Sequence, residues 1–63
     1  MLATKAQVRY IDILFQDNNF TILGKKEFLK FRFDRSYPDE LTMFEASKVI
    51  DELKDLKETN GAA

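Results

Sequence analysis

Two periodicities of apolar and polar side chains divide this chain. Apolar side chains recur every three or four residues in the segments before Asn18 and after Thr42, whereas they alternate with polar ones from Leu29 to Asp34. The first spacing is typical of an amphipathic helix, and alternation is typical of a half-buried strand, whose successive side chains point to opposite faces. The pattern therefore predicts a helix near each end of the chain and extended structure between them.

The first helix is predicted from Thr4 to about Asn18. Thr4 and Gln7 have the spacing of a capping box, in which each side chain accepts a hydrogen bond from the backbone N–H of the other residue. Apolar side chains then follow at helical spacing: Val8, Ile11, Leu14 and Phe15. Asn18 and Asn19 tolerate the left-handed conformation that ends many helices.

A second capping box, Thr42 with Glu45, predicts the start of the last helix. The apolar stripe of this helix consists of Ala46, Val49, Ile50, Leu53 and Leu56. Residues 59–63 contain no large apolar side chain, so we expect one small domain of residues 1–58 followed by a flexible tail of residues 59–63.

The middle of the chain predicts a β-hairpin. Residues 20–23 are rich in strand formers, and a loop of residues 24–27 would set Ile22 opposite Leu29. The predicted fold class is therefore α+β, in the order helix, strand, strand, helix, with both helices on one face of a two-stranded antiparallel hairpin. That face would consist of Phe20, Ile22, Leu29, Phe31 and Phe33. The open edges of the hairpin would allow two copies to join strand to strand as a homodimer.

The competing architecture is an all-α three-helix bundle in which residues 25–35 form a distorted middle helix. At 100° per residue, the apolar side chains of this segment would scatter over more than half of the helix circumference. Arg32 would then lie between Phe28 and Leu29. This scatter favours the hairpin.

Composition restricts the chemistry that the chain can perform. The 63 residues include neither cysteine nor histidine, which excludes disulfides, Cys/His zinc sites and histidine-dependent catalysis. Asp51 and Asp55 are four residues apart but lie among lysines, a pattern typical of a solvated helix face. No glycine-rich phosphate loop or nucleophile elbow is present. We therefore predict a non-enzymatic protein without cofactor or metal.

Because no apolar run reaches the ~18 residues that span a bilayer, we also predict a cytoplasmic location, the host cytoplasm if the protein is phage-encoded.

The charges of the chain are unevenly distributed. Residues 1–36 carry seven basic and four acidic side chains, and residues 37–63 carry three basic and seven acidic ones. Five basic residues fall within residues 25–35, and on the hairpin three of them would surround Phe28 and Leu23 on the face away from the helices. An aromatic ring among cations is typical of surfaces that bind single-stranded nucleic acid, because the ring stacks on a base while the cations contact phosphates. The predicted binding residues are Lys25, Lys26, Phe28, Lys30, Arg32, Arg35 and Leu23.

A protein partner is the alternative. Phe28, Leu23 and an exposed sheet edge, or the acidic last helix, would then bind a host enzyme, and the chain would act as an inhibitor or adaptor. The net charge of −1 argues against indiscriminate DNA binding, since nonspecific affinity comes from phosphate neutralisation.

Two segments resemble the ends of a short module. Residues 3–11 have the pattern A-T-x-x-Q-x-x-Y-I, and residues 41–53 have the pattern L-T-x-x-E-A-S-x-x-I-D-x-L. Similar modules occur in small proteins of phages and other mobile elements and as tails of DNA-processing proteins. The resemblance covers about a third of the chain and implies a phage-type accessory or recognition role, with nucleic acid or a DNA-processing host protein as partner.

Overall fold

Three helices account for most of the structure. The computed structural model describes residues 1–61, with side chains for residues 1–59. Its helices are α1 (Lys5–Asp17), α2 (Ile22–Phe33) and α3 (Met43–Gly61), with a short 3₁₀ turn at Pro38–Glu40 between the last two. Within residues 1–61 there is no strand and no sheet, so the fold is all-α.

The first helix lies where the sequence predicts it. The N–H of Gln7 donates to Thr4 Oγ1 at 3.0 Å and the N–H of Thr4 donates to Gln7 Oε1 at 3.0 Å, which completes the capping box. Asn19 adopts the left-handed conformation with φ of 61° just after the helix. The side-chain amide of Asn18 donates to the carbonyl of Leu53 at 3.3 Å, which ties the end of α1 to α3.

The last helix is also confirmed. The N–H of Glu45 donates to Thr42 Oγ1 at 3.1 Å, and the N–H of Thr42 donates to Glu45 Oε1 at 2.9 Å. Three stripe residues are fully buried: Ala46, Val49 and Leu53. Ile50 packs half-buried against the core, and Leu56 is partly exposed. Of the predicted tail, residues 59–61 continue α3, and residues 62 and 63 lie outside the described residues.

The predicted hairpin is wrong, and the competing three-helix architecture is the one observed. Thr21 caps α2, since its Oγ1 accepts a hydrogen bond from the N–H of Gly24 at 2.9 Å. Asp34, with φ of 56°, ends the helix. Gly24 has no positive φ and continues the helix where the hairpin needed a loop. Between these caps a helix pairs its backbone groups within one segment, whereas an isolated two-stranded hairpin leaves both outer edges unpaired and is marginally stable.

The core lies between the three helices. Its fully or almost fully buried residues are Ile11, Leu14, Phe15, Leu29, Leu41, Ala46, Val49 and Leu53. From α2 only Leu29 is among them, while Phe28 and Phe33 pack half-buried at its sides. The predicted facing pair Ile22 and Leu29 is absent, because Ile22 is 73% exposed in the first turn of α2.

The predicted strand-to-strand homodimer has no basis in this fold, because the described residues contain no hairpin edge. The one bridge of β type is isolated and joins Leu2 to Thr42. Beside it, the N–H of Ala3 donates to the carbonyl of Leu41 at 2.8 Å, which fastens the start of the chain to the segment before α3.

Candidate interaction surfaces on the second and third helices

The helix separates the basic residues that the hairpin would have grouped. Lys25 and Lys26 are half-buried beside α1 and the connector between α2 and α3. Lys30 is exposed, and its Nζ lies 3.9 Å from the carboxylate of Asp34. Arg32 points towards α3, and Arg35 follows the end of the helix on the surface. The predicted basic cluster is therefore distributed over several sides of α2.

Phe28 belongs to the packed interior of the molecule. Its ring meets those of Phe15 and Phe20 edge to face, with 5.6 Å between centroids in each pair. The guanidinium of Arg32 lies 3.8 Å from the centroid of the Phe28 ring. Because Phe15, Phe20 and Arg32 pack against the Phe28 ring, it is not free to stack on a base. We call Phe15, Phe20 and Phe28 the aromatic cluster.

Arg32 joins α2 to α3. Besides covering Phe28, its Nε–H donates to the carboxylate of Glu52, with both side chains about half exposed. A cation held over an aromatic ring and paired with a carboxylate contributes both a cation–π and a charge-assisted contact. Arg32 thus has a structural partner on each side.

Sequence reasoning missed the most exposed aromatic residue of the described chain. Phe31 was expected to lie on the face of the hairpin that the helices cover, yet its side chain is 88% exposed. At 100° per residue Phe31 lies 200° from Leu29, so a helix that buries Leu29 must expose Phe31. A helical projection centred on Leu29 would have found it. Leu23, two turns earlier, is 65% exposed.

We call these exposed residues the outer face of α2. It consists of Leu23, Glu27, Lys30 and Phe31, which lie within 100° of one another on the helix. Two large apolar side chains here project into solvent with one charge of each sign between them. Exposed aromatic and aliphatic side chains on one helix face are a feature of sites where a helix docks on a partner.

A second exposed face runs along α3. It consists of Phe44, Lys48, Asp51, Asp55 and Glu58, and we call it the outer face of α3. Phe44 is 71% exposed, with the Nζ of Lys48 at 5.1 Å from its ring centroid. The three carboxylates form a line along the helix, and within the described residues none of them makes an ion pair.

The connector between α2 and α3 is ordered by one carboxylate. Glu40 Oε1 accepts hydrogen bonds from the backbone N–H of Ser36 at 2.9 Å and of Tyr37 at 3.1 Å. These two bonds, with a smaller contribution from the charge of Arg35, lower the pKa of Glu40 from its usual value of 4.5. The carboxylate therefore holds the turn closed in its charged form.

A groove of about 330 Å³ lies where this connector meets α1 and the start of α2. Tyr37 and Pro38 form part of its wall, and the Nζ of Lys26 is 5.3 Å from the Tyr37 ring centroid. Charges of both signs line it, since Asp12 and Asp39 contribute to its wall together with Lys25 and Lys26. Its volume is at the lower end for small-molecule sites, and its charges do not select one ligand class.

Neither a metal centre nor a membrane span is found in the part of the chain that the structure describes. Within residues 1–61 no three acidic side chains are grouped so as to hold a metal ion. None of the described helices has the length and apolar character that crossing a membrane requires.

Comparison with known proteins adds no further constraint. No family model, curated protein or solved structure matches this chain. The resemblance to phage-type modules and the cytoplasmic location stay predictions.

Proposed function

We propose that the protein is a small, non-enzymatic binding module that docks on a protein partner through the outer face of α2. The observation that carries this proposal is the exposure of Phe31, which is 88% accessible on a helix that buries Leu29 on its opposite side. The resemblance to phage-type accessory modules supports a role of this kind.

Folding leaves the large apolar side chains of the outer face of α2 in water. Full burial of a side chain as large as leucine or phenylalanine is favourable by about 1.5–3 kcal/mol. Phe31 contributes almost none of this to the fold and Leu23 only a minor part, because they are 88% and 65% exposed. A partner with an apolar groove would gain it, and aromatic anchors of this type dominate the affinity of many interfaces.

The helical geometry supports docking by a face rather than by a loop. Leu23 and Phe31 are eight residues apart on α2, so a partner groove would contact two turns of a preformed helix. Glu27 and Lys30 lie between them and can set the orientation of the complex through charge. The helix is capped at both ends by Thr21 and Asp34, which limits the ordering cost of binding.

Nucleic acid is the second candidate partner. Phe31, rather than the predicted Phe28, would then be the ring that stacks on a base, since Phe31 is exposed and adjacent to Lys30 on the outer face of α2. Arg35 is exposed nearby in the chain and makes no ion pair among the described residues. Stacking on Phe31 with phosphate contacts from these cations would bind a single strand.

A capture experiment tests the proposal and separates the two partners. The chain is immobilised and exposed to a bacterial lysate, with and without nuclease, because the resemblance points to phage-type modules. We expect a protein to be retained in both conditions and to be lost with Phe31→Ser. Removal of one buried ring corresponds to an affinity about tenfold to a hundredfold lower.

The matched control is Ile13→Ser, which removes an exposed apolar side chain from α1. It should leave capture unchanged. Retention only without nuclease would favour the nucleic-acid candidate, and equal capture by the parent chain and Phe31→Ser would refute docking through the outer face of α2.

A further inference from the structure

We infer that the groove beside Tyr37, together with its continuation along α1, binds an extended, acidic peptide segment of a protein partner. The continuation is a second groove of about 320 Å³ beside the first half of α1. The two grooves adjoin, because Val8, Asp12 and Asp39 line both of them. We call the pair the connector groove. No residue of the outer face of α2 lines it, so this site is additional to the one in the proposed function.

The charged side chains of the connector groove are not paired with one another. Within the described residues none of them makes an ion pair. The set consists of Lys5, Arg9, Lys25, Lys26, Asp12 and Asp39. Four cations and two carboxylates leave a net charge of +2, which favours an acidic occupant.

The two lysines of α2 indicate that the occupant carries carboxylates. Lys25 and Lys26 are both half-buried, so folding removes part of their surface from water without supplying a counterion among the described residues. Removing a charged group from water is unfavourable unless an opposite charge compensates for it. A carboxylate of the partner would supply that charge. Because both lysines are already packed, pairing also costs less side-chain entropy than it would at a fully exposed position.

The connector groove also has a place for an apolar side chain. Ile22 lies about 20° from Leu29 around α2, on the side that faces the core, yet it is 73% exposed. Tyr37 is 51% exposed beside it, and Val8 and Pro38 add apolar surface to the same wall. The core-facing side of α2 thus continues into the groove, where an apolar residue of the partner would cover Ile22 and the Tyr37 ring.

The two carboxylates favour a peptide over a nucleic-acid strand. Asp12 and Asp39 line both grooves, so an occupant of the whole connector groove contacts them. A phosphate at this point would meet like charge. An extended peptide instead presents backbone N–H groups, which form charge-assisted hydrogen bonds to carboxylates. Its side chains alternate in direction, so acidic ones can point to the cations while an apolar one faces Tyr37.

Selection from a display library of short random peptides on the purified, immobilised chain tests the inference. We expect the selected sequences to be enriched in Asp and Glu around one apolar residue. The most frequent sequence, made as a fluorescently labelled peptide, then serves as the probe for affinity by fluorescence anisotropy. Its affinity should decrease as salt is added, because the contacts are between charges.

Charge reversal in each half of the connector groove locates the bound peptide. Lys25→Glu with Lys26→Glu, and separately Lys5→Glu with Arg9→Glu, should each lower the affinity about tenfold. Both pairs lie near the N-terminus of a helix, where acidic side chains are favourable, so the variants are expected to fold. Circular dichroism checks this, and the second pair is fully on the surface if the first does not fold.

The matched control is Lys48→Glu with Lys54→Glu, which makes the same change in net charge on α3, away from the groove. It should leave the affinity unchanged, as should Phe31→Ser on the outer face of α2. An unlabelled single-stranded oligonucleotide should not displace the peptide.

Each other outcome overturns the inference. These outcomes are a selection without acidic enrichment, an affinity that the control lowers as much as the groove variants do, and displacement by the oligonucleotide. Selected peptides that lose affinity with Phe31→Ser and not with the groove variants would support the proposed function while refuting the connector groove as a peptide site.

Discussion

Replacing Phe28 and Phe31 by alanine tests the fold and the candidate surface together. The two residues lie on one helix, three positions apart, and the hairpin and the helix assign them opposite environments. The hairpin buries Phe31 and exposes Phe28. The helix exposes Phe31 at 88% and packs Phe28 in the aromatic cluster.

For Phe28→Ala we expect a loss of about 3 kcal/mol in the free energy of unfolding. Complete burial of a phenylalanine side chain gives losses of about 3–5 kcal/mol on truncation, and Phe28 is half-buried. Its edge-to-face contacts with Phe15 and Phe20 add about 0.5–1.5 kcal/mol each, and the Arg32 guanidinium adds about 0.5–1 kcal/mol. Partial burial and these ring contacts offset one another, which leaves the estimate near the lower end of the range.

For Phe31→Ala we expect a change within about 0.5 kcal/mol. The side chain removes little surface from water, and alanine is a better helix former than phenylalanine. A small gain in stability is therefore as compatible with the helix as a small loss.

Urea unfolding followed by circular dichroism measures both values, provided that the dependence on denaturant is the same for each variant. Because a domain of this size has about 3–9 kcal/mol of stability in total, Phe28→Leu provides a milder variant if Phe28→Ala does not fold. A larger loss for Phe31→Ala than for Phe28→Ala would refute the placement of α2.

Three further predictions concern the caps and the core. Protonation of Glu40 removes the charge that its two backbone donors stabilise. The free energy of unfolding should therefore decrease as the pH falls below about 4.5 towards the lowered pKa of Glu40 in the folded state. Acid titrations of unfolding should show a smaller decrease for Glu40→Gln. Thr42→Ala removes the N-cap of α3 and should lower the free energy of unfolding in urea by about 1 kcal/mol, whereas Thr59→Ala in the last turn should change it little. Equal effects of the two substitutions would contradict the capping box. Leu53→Ala, at a fully buried position, should cost about 3 kcal/mol, whereas Leu23→Ala on the exposed side of α2 should cost less than about 0.5 kcal/mol, as thermal unfolding can verify.

The positions of α1 and α3 follow from local sequence alone. The starts of both helices depend only on neighbouring residues, because the capping boxes Thr4–Gln7 and Thr42–Glu45 satisfy backbone donors within one turn, independently of the rest of the chain. The apolar stripe of α3 can also be read from neighbouring residues, because side chains spaced three and four residues apart lie on one face only in a helix.

The conformation of the middle of the chain depends on packing between the helices. Residues 28–34 fit a strand by alternation, and as a helix they offer apolar side chains in several directions, so local pattern could not choose between them. The choice depended on burial against α1 and α3, which takes Leu29 into the core and Phe28 onto Phe15 and Phe20.

The same choice placed the candidate surface. Once Leu29 faces the core, the helical repeat places Phe31 on the opposite side of α2. Arg32, which the sequence predicted to belong to a basic binding cluster, instead pairs with Glu52 of α3. Helix caps and periodicity are properties of adjacent residues and can be read along the chain. Which ring is buried and which is exposed depends on contacts between residues far apart in sequence, and only the packed helices determine those.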